Sequence, residues 1–184
     1  MGYYLYPNFI TPDEEAELLA WVDKGQEWKR SKWNGKHLVK HWGVKTDFTL
    51  QECRPPNPAL GELLLPKKLE FLVDRMQAQI PEFLGNWIPN ECNANRYVKR
   101  AGHFIGAHFD SRNLSGEIIV NLSLGSDAKM TFSKTSSETN KVLLPRRSLS
   151  IMSKESRYTW KHSIANADLL GETRVSFNWR KAKV

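Results

Sequence analysis

The sequence predicts an α+β fold in which two N-terminal helices pack on one sheet of a β-sandwich or barrel. Helix signals end at Pro81, and from Cys92 onward short strand patterns recur at roughly 8–12-residue intervals. The chain has 184 residues, of which 40% are hydrophobic, which is enough for one domain with a substantial core. We therefore expect residues 1–184 to form a single domain.

The first helix is predicted to follow a short apolar strand over residues 3–10. Thr11-Pro12-Asp13-Glu14 combines an N-cap threonine, a proline at the first helical position and a glutamate three residues after the cap. We expect this helix to end near Lys24. The side chains expected to face the core are Ala16, Leu19, Trp21 and Val22.

The second helix is predicted over residues 66–79, because apolar residues recur there at helical spacing and Pro81 stops the pattern. These residues are Leu69, Leu72, Val73, Met76 and Ile80. Between the two helices, Asn34-Gly35 is typical of a tight hairpin turn. Residues 51–61, with three prolines, indicate an irregular connection.

The second half of the chain is predicted to be strands. In residues 118–124 the apolar side chains alternate, so that one face is continuous and buried. Glycine, serine, asparagine and aspartate separate the segments. The further predicted strands cover residues 129–132, 141–144, 148–152, 158–162 and 173–180.

Composition limits the partners and the compartment. A net charge of +7 and a pI of about 9.4 favour a polyanionic partner, although a merely soluble basic protein would look the same. Cys53 and Cys92 are isolated, as reduced thiols are. The sequence shows no secretory signal and no apolar stretch of membrane-spanning length. We expect a cytoplasmic and/or nuclear protein without membrane association.

Three residues are candidate metal ligands. His108 and Asp110 flank Phe109, and in a strand residues i and i+2 share a face, so both could point at one ion. His162 ends another predicted strand and could supply the third ligand. Two histidines and one carboxylate are the ligand set of non-heme Fe(II) oxygenases.

H-x-D is a short motif, and the alternatives remain open from the residues alone. Zinc in a hydrolytic site uses a similar ligand set, and a buried histidine beside a structural aspartate would need no metal. His37 and His41 lie in a basic hairpin and are expected to face solvent or nucleic acid. His103 lies in a glycine-flanked loop.

The last predicted strand supplies a possible anion site. Arg174, Ser176, Asn178 and Arg180 alternate with apolar residues, so one face is polar. Arginines inside a barrel would be costly unless each met a carboxylate, as a small dicarboxylate or a metal-bound aspartate would provide. The alternative is an edge strand with solvated arginines.

These residues resemble the AlkB family of Fe(II)/2-oxoglutarate dioxygenases, whose pattern is N-x-Y, H-x-D, a distal H and R-x5-R. The pattern reads here, across essentially the whole chain, as Asn95-Arg96-Tyr97, His108-Phe109-Asp110, His162, and Arg174 with Arg180. The resemblance implies a double-stranded β-helix (jelly-roll) core and a hairpin lid. It also implies Fe(II) held by His108, Asp110 and His162, with 2-oxoglutarate and O2 as co-substrates.

The resemblance further implies roles for the residues around the metal. Arg174 is expected to pair with the distal carboxylate of 2-oxoglutarate, with Tyr97 helping. Asn95 and Arg180 are expected near the iron-bound end.

A narrower resemblance is to AlkB homologues that hydroxylate a modified wobble uridine in tRNA. It rests on Asn121-Leu-Ser-Leu-Gly-Ser126, Leu144-Pro-Arg-Arg-Ser-Leu149 and Glu155-Ser-Arg157-Tyr-Thr-Trp-Lys-His162. The loop before His108 departs from the pattern, since it lacks the usual Pro-Gly and adds Lys99 and Arg100 near the mouth. Family demethylases of cationic bases often have a carboxylate where Arg112 stands, so a neutral base is favoured.

Residues 28–42 interleave cations with indoles, as a surface that binds unpaired nucleic acid does. At least one of these tryptophans is expected in the core. The full set of expected substrate-binding residues is Trp28, Arg30, Lys32, Trp33, Lys36, Lys40, Trp42, Arg100, Arg112 and Arg157.

The sequence therefore predicts an iron dioxygenase that hydroxylates or oxidatively demethylates a modified base in nucleic acid, with RNA or tRNA favoured and DNA left open. A DNA or RNA alkylation-repair demethylase, a protein or small-molecule hydroxylase and an inactive nucleic-acid binder are the alternatives. We expect a monomer. The RNA-binding and methyltransferase modules of the animal tRNA enzymes are not in this sequence, so a separate partner for tRNA targeting stays open.

Overall fold

Two antiparallel sheets face each other in the computed structural model, which describes residues 2–184. The helices are α1 (Pro12–Asp23), α2 (Glu70–Gln79), α3 (Pro81–Leu84) and α4 (Lys154–Tyr158). The strands are β1 (Tyr3–Tyr6), β2 (Lys29–Arg30), β3 (Gly35–Lys36), β4 (Leu38–Gly43), β5 (Lys45–Asp47), β6 (Glu52–Arg54), β7 (Glu91–Val98), β8 (Phe104–His108), β9 (Ser115–Leu124), β10 (Ala128–Ser133), β11 (Thr139–Leu144), β12 (Leu149–Met152), β13 (Lys161–Ile164) and β14 (Thr173–Ala182).

The larger sheet has seven strands in the order β1-β12-β9-β14-β7-β4-β2, and the smaller has five in the order β11-β10-β13-β8-β3. Strands β5 and β6 pair only with each other, as a separate hairpin. Two packed antiparallel sheets with non-sequential neighbours are the jelly-roll arrangement expected from the sequence.

The first core lies between the helices and the outer face of the larger sheet. Leu18 and Val22 of α1 and Leu72 and Met76 of α2 are buried there against the sheet. The N-terminus of α1 has the expected capping box, in which Thr11 and Glu14 bond each other's backbone amides. The phase of α1 differs slightly from the prediction, because Ala16 is exposed and Glu15 is buried.

The second core lies between the two sheets and is interrupted by a polar cavity. The cause is the alternation of β14, in which Val175, Phe177 and Trp179 pack toward the helices. The intervening residues, Arg174, Ser176, Asn178 and Arg180, line the cavity. One strand therefore closes the apolar core on one face and builds the site on the other.

Two local predictions are wrong. Residues 158–162 are not one strand, because α4 extends to Tyr158 and β13 begins only at Lys161. Asn34-Gly35 does not connect two paired strands in a tight turn. Gly35–Lys36 instead pair with β8 of the smaller sheet, while residues 38–43 pair with β7 of the larger one.

Among residues 2–184, no helix is long and apolar enough to cross a membrane.

Candidate metal and co-substrate site

The three predicted metal ligands converge between the sheets. Single ligand atoms from His108, Asp110 and His162 lie within 4.8 Å of one another. Strand pairing causes this, because His162 of β13 lies opposite His108 of β8 and their ring centroids are 4.1 Å apart. Asp110 follows two residues after His108, and its Oδ2 lies 3.5 Å from His162 Nε2.

Neighbouring groups fix the orientation of these ligands. His108 Nδ1 lies 2.7 Å from the carbonyl oxygen of Gly106, which leaves Nε2 for a metal. Arg180 NH2 donates to Asp110 Oδ1 at 2.5 Å. Arg157 NH1 donates to the backbone oxygen of Asp110 at 2.8 Å. The carboxylate and its backbone are therefore held from two sides.

Electrostatics keep the three ligands in the protonation states that a metal needs. Burial is the largest cause that lowers the pKa of His162, to about 3, and burial also lowers the pKa of His108. Burial alone would raise the pKa of Asp110, but the opposing charge of Arg180 is the largest of the causes that hold that pKa well below its usual range. Neutral imidazoles and an ionised carboxylate bind a divalent cation directly.

The inner cavity is the space of about 120 Å³ next to this triad. Its polar wall contains all four residues expected to bind the co-substrate, namely Asn95, Tyr97, Arg174 and Arg180. Burial raises the pKa of Tyr97 to about 12, so its hydroxyl stays protonated and can donate a hydrogen bond.

Arg174 has no carboxylate partner among residues 2–184 although its side chain is almost completely buried. Its NH2 donates only to Ser123 Oγ at 2.8 Å and to Asn121 Oδ1 at 3.3 Å, and its Nε has no partner. A buried guanidinium without an anion is costly. The donor set therefore fits an anionic ligand in the inner cavity, as 2-oxoglutarate would be beside Fe(II).

The outer cavity is a second space, of about 350 Å³, that shares Trp33, Asn93, Asp110 and Arg180 with the inner one. Its other walls include His41, Lys45, Phe48 and Glu91. This size lies in the range of small-molecule binding sites. A substrate group in the outer cavity would lie beside a metal ligand.

The residues expected to bind substrate divide into two groups. Trp33, which is 45% exposed, lines both cavities, with its ring centroid 4.6 Å from that of His108. Trp28 is half-buried under the cations of Lys40 and Arg96. The exposed residues of the set are Arg30, Lys32, Trp33, Lys36, Arg100 and Arg112.

Lys40, Trp42 and Arg157 are buried and do not form part of a substrate surface. Trp42 packs in the core under α1, and Lys40 donates to the carbonyl oxygens of Val22 and Lys24 at the end of that helix. Arg157 holds the backbone at Asp110, as described above. Arg112 lines neither cavity, because its guanidinium lies 3.9 Å from the ring centroid of Phe109.

Sequence reasoning missed several residues of the site. His37 is buried in the wall of the inner cavity, stacked on Tyr97 at 5.2 Å, instead of facing solvent. Lys45, Phe48 and Glu91 of the outer cavity also went unpredicted. For Asn93 a signal was present, since it lies two residues before Asn95 and therefore on the same face of β7.

Comparison with solved structures supports the fold. The structure of OsALKBH1 matches with a TM-score of 0.71 at 16% identity, and the match covers 98% of each chain. A prolyl-4-hydroxylase from Pseudomonas putida matches with a TM-score of 0.63 at 13% identity, over 100% of this chain and 94% of that one. Identities this low show the jelly-roll fold alone.

Several curated relatives are named as AlkB homologues. The mouse tRNA (carboxymethyluridine(34)-5-O)-methyltransferase ALKBH8 is 33% identical over 169 residues, which cover 89% of this chain and 24% of that protein. A DNA N6-methyl adenine demethylase of Caenorhabditis elegans is 29% identical over 189 residues, which cover 98% of this chain and 60% of that protein. The chain thus spans about a quarter of the length of the vertebrate relatives it matches.

The family model described as the 2OG-Fe(II) oxygenase superfamily matches residues 2–180. This match covers nearly the whole chain and agrees with the His-Asp-His cluster between the sheets. The chain therefore belongs to the 2OG-Fe(II) oxygenase superfamily, whose metal is Fe(II) and whose co-substrates are 2-oxoglutarate and O2, and it is similar in sequence to AlkB homologues.

Proposed function

We propose that residues 1–184 form one AlkB-like domain that hydroxylates or oxidatively demethylates a modified base in nucleic acid, with RNA or tRNA as the preferred substrate. His108, Asp110 and His162 hold the iron. Arg174 and Tyr97 hold the distal carboxylate of 2-oxoglutarate, while Asn95 and Arg180 contact its iron-bound end.

One observation carries the co-substrate assignment. The buried guanidinium of Arg174 has no anionic partner among the described residues, and it lines the same cavity as the metal-ligand cluster. A small dicarboxylate satisfies both ends at once, because one carboxylate reaches the guanidinium and the other reaches the metal. A hydrolytic zinc site would leave Arg174 without an anion.

The bound cofactor set supplies oxidising chemistry, in which 2-oxoglutarate and O2 become succinate and CO2 while one oxygen atom enters the substrate. The protein residues orient and shield this chemistry. Arg180 keeps Asp110 ionised and in place, and Arg157 fixes the backbone at that position. When the substituent carbon is bonded to nitrogen, its hydroxylated product breaks down to an aldehyde, which is demethylation.

A nucleic-acid substrate is supported by the relatives' names and by the exposed cations on the segment that includes Trp33. Arg30, Lys32 and Lys36 surround Trp33 in sequence, and Trp33 lines both cavities. Cations track phosphates and an exposed indole stacks on an unpaired base. We infer that residues 28–37 act as the lid over a base that is single-stranded or flipped out.

We further infer that the domain works as a monomer in the cytoplasm or nucleus, with tRNA targeting supplied by a separate partner. Short single-stranded RNA should therefore be bound by the domain alone, whereas selection of one tRNA requires additional protein. Size-exclusion chromatography with light scattering checks the monomer.

Substitution of the predicted metal ligands tests their assignment. Asp110→Ala and His162→Ala should each abolish Fe(II)-dependent turnover of 2-oxoglutarate and weaken Co(II) binding by at least about tenfold, because a site with two protein ligands has lost a third of its donors. Co(II) absorption spectra and succinate formation are the measurements. His103→Ala is the control, since His103 lines neither cavity. Normal turnover in both ligand variants would refute the assignment.

Substrate class is tested separately. Mass spectrometry of nucleosides from RNA and from DNA, incubated with enzyme, Fe(II) and 2-oxoglutarate, should show loss of one modified base or a gain of one oxygen atom. The same loss in DNA alone would identify a DNA demethylase. Turnover of 2-oxoglutarate with no change in any nucleoside would point instead to a protein or small-molecule substrate.

A further inference from the structure

We propose that Lys45 is a specificity-determining residue of the outer cavity, which admits a neutral or anionic base and disfavours a cationic one. This inference rests on the proposed function, because it concerns the base that the site accepts.

Lys45 lies in the wall of the outer cavity, beside two aromatic side chains and a metal ligand. Lys45 begins β5 and lines this space together with Trp33, Phe48 and Asp110. The two aromatic side chains are 45% and 57% exposed, so they offer free faces on which a planar base can stack. A base held by them would lie in the same cavity as the ammonium group and the metal ligand.

Among the described residues, Lys45 has no compensating anion in direct contact. Within residues 2–184, Lys45 makes no ion pair, and its Nζ contacts only His41 Nδ1, at 2.9 Å. A buried or half-buried ammonium usually meets a carboxylate. Lys45 thus keeps both an unneutralised charge and two N–H donors for a guest in the cavity.

The acids near Lys45 are already engaged by other side chains. Glu62, the carboxylate that favours the charged form of Lys45 most, accepts from both NH1 and NH2 of Arg54 at 2.7 Å. Glu91 lies beyond His41, with Oε1 at 3.6 Å from His41 Nε2 and at 3.4 Å from Arg180 NH1. Arg180 in turn donates to Asp110 at 2.5 Å. The two carboxylates of the cavity are therefore already engaged, and the chain of contacts also fixes the imidazole against which Lys45 rests.

The charge of the site follows from these contacts. Lys45 and Arg180 contribute two positive charges against the two negative charges of Asp110 and Glu91, and a divalent metal adds further positive charge before the co-substrate binds. Asp110 and Glu91 are both ion-paired with Arg180, whereas Lys45 forms no ion pair among residues 2–184, so its ammonium is the unpaired cation that a guest in the outer cavity meets. A cation there would lose hydration and gain no anionic partner.

Lys45, and not Arg112 as the sequence suggested, is the residue that selects the charge of the base. The sequence suggested Arg112 for this role, but its guanidinium stacks on Phe109 and lines neither cavity. Lys45 has no sequence signal of its own, because it reaches the site only through the hairpin of β5 and β6.

A pair of isomeric bases tests the inference. Two short single-stranded RNAs differ at one position, which is either N6-methyladenosine, neutral, or 1-methyladenosine, cationic at neutral pH. Their dissociation constants are measured by fluorescence anisotropy, anaerobically, with Fe(II) and 2-oxoglutarate bound. We compare the wild type with Lys45→Gln, Lys45→Glu and the charge-matched control Lys67→Gln, at an exposed lysine beside α2.

We expect the wild type to bind the neutral RNA more tightly. Lys45→Gln should reduce this preference by about threefold to tenfold, as for one partly screened charge at close range, and Lys45→Glu should reverse it. Lys67→Gln should leave the preference unchanged. An unchanged preference in Lys45→Glu overturns the inference.

A second measurement needs no RNA. The fluorescence of Trp33 is obtained by subtracting the signal of the Trp33→Phe variant from that of each protein. Its quenching is then measured with an anion, iodide, and with a cation, caesium. Lys45→Glu should lower quenching by iodide and raise quenching by caesium. If the wild type and Lys45→Glu are quenched equally by both ions, the inference is refuted. A shift in both assays without any oxidised nucleoside would leave Lys45 as the charge selector and reject the proposed base hydroxylation.

Discussion

Arg174 and Arg180 lie on the same face of the same strand, yet their surroundings differ. Arg180 meets two carboxylates, Asp110 and Glu91, and these charges raise its pKa although burial acts in the opposite direction. Arg174 meets only a hydroxyl and an amide oxygen, and burial lowers its pKa. Arg180 is therefore neutralised by carboxylates of the protein, whereas Arg174 has no anionic partner among residues 2–184.

Arg174→Lys is expected to weaken 2-oxoglutarate binding by about tenfold to a hundredfold. The lysine retains the charge but loses the forked donor that matches a carboxylate, and a charge-assisted hydrogen bond contributes about 1.5–3 kcal/mol. Isothermal titration with Co(II)-loaded protein measures the affinity. Arg54→Lys is the control, at an arginine whose side chain is 53% exposed. An affinity unchanged in Arg174→Lys would place the co-substrate elsewhere.

At the level of single residues, the sequence predicted the residues whose chemistry is rare and missed those whose chemistry is common. His108, Asp110 and His162 stood out because they fit one longer pattern together with Arg174 and Arg180, although H-x-D alone is a short motif. His37 and Lys45 did not, because a histidine and a lysine in a basic segment usually face solvent. Their burial depends on strand pairings across the two sheets, which no local spacing encodes.

Helix α1 shows how one carboxylate can stabilise two helices. Glu14 completes the capping box of α1, and both its oxygens also accept from Arg75 of α2, at 2.6 and 2.9 Å. The bond to Arg75, the largest cause, lowers the pKa of Glu14 from 4.5 to about 2. The helix that covers the larger sheet is thus tied to its neighbour.

Glu14→Gln should lower the free energy of unfolding by about 1 kcal/mol at neutral pH, because it removes the half-buried ion pair with Arg75, while glutamine can keep the capping-box hydrogen bond. The carboxylate has a depressed pKa in the folded state, so its contribution is complete above 4.5 and disappears as the pH falls to about 2. Urea denaturation of both proteins between pH 7 and pH 3 should show the difference shrinking. Glu17→Gln is the control, since Glu17 is 67% exposed and pairs only with Lys68. A difference constant over this range would contradict the ionic origin.

At the level of elements, the period of the apolar pattern predicted the long strands and helices correctly and failed for short ones. Strand β14 and helix α2 each carry enough repeats for the period to be read. Helix α4 is five residues long and depends on Ser153 and Ser156 exchanging backbone hydrogen bonds, a signal too brief to outweigh the neighbouring strand pattern.

The whole molecule carries a net charge of +7, and part of that charge lies on the segment next to Trp33, which lines both cavities. Arg30, Lys32 and Lys36 are exposed there, on the segment that includes Trp33. Since the three carry no anionic partner among residues 2–184, they are available to phosphates.

Arg30→Gln, Lys32→Gln and Lys36→Gln together should make RNA binding less dependent on salt. Three lost phosphate contacts reduce the slope of log K against log salt by about 2 for a single strand. Anisotropy titrations at several salt concentrations measure it. The matched control replaces the exposed Lys67, Lys134 and Lys183 with glutamine and should change the slope by less than about 0.5. Equal slopes for the two triple variants would show that Arg30, Lys32 and Lys36 do not contact the RNA and would refute the proposed lid surface.

The segment from Gly35 to Gly43 belongs to both sheets, since its first residues pair with β8 and its later ones with β7. Only His37 separates the two pairings. Loss or insertion of one residue at this junction would shift either β3 against β8 or β4 against β7 by one position. Every side chain of the shifted strand would then point to the opposite face of its sheet. Natural variation in length should accordingly be absent from this junction and concentrated in the β5–β6 hairpin, whose ladder is independent of both sheets.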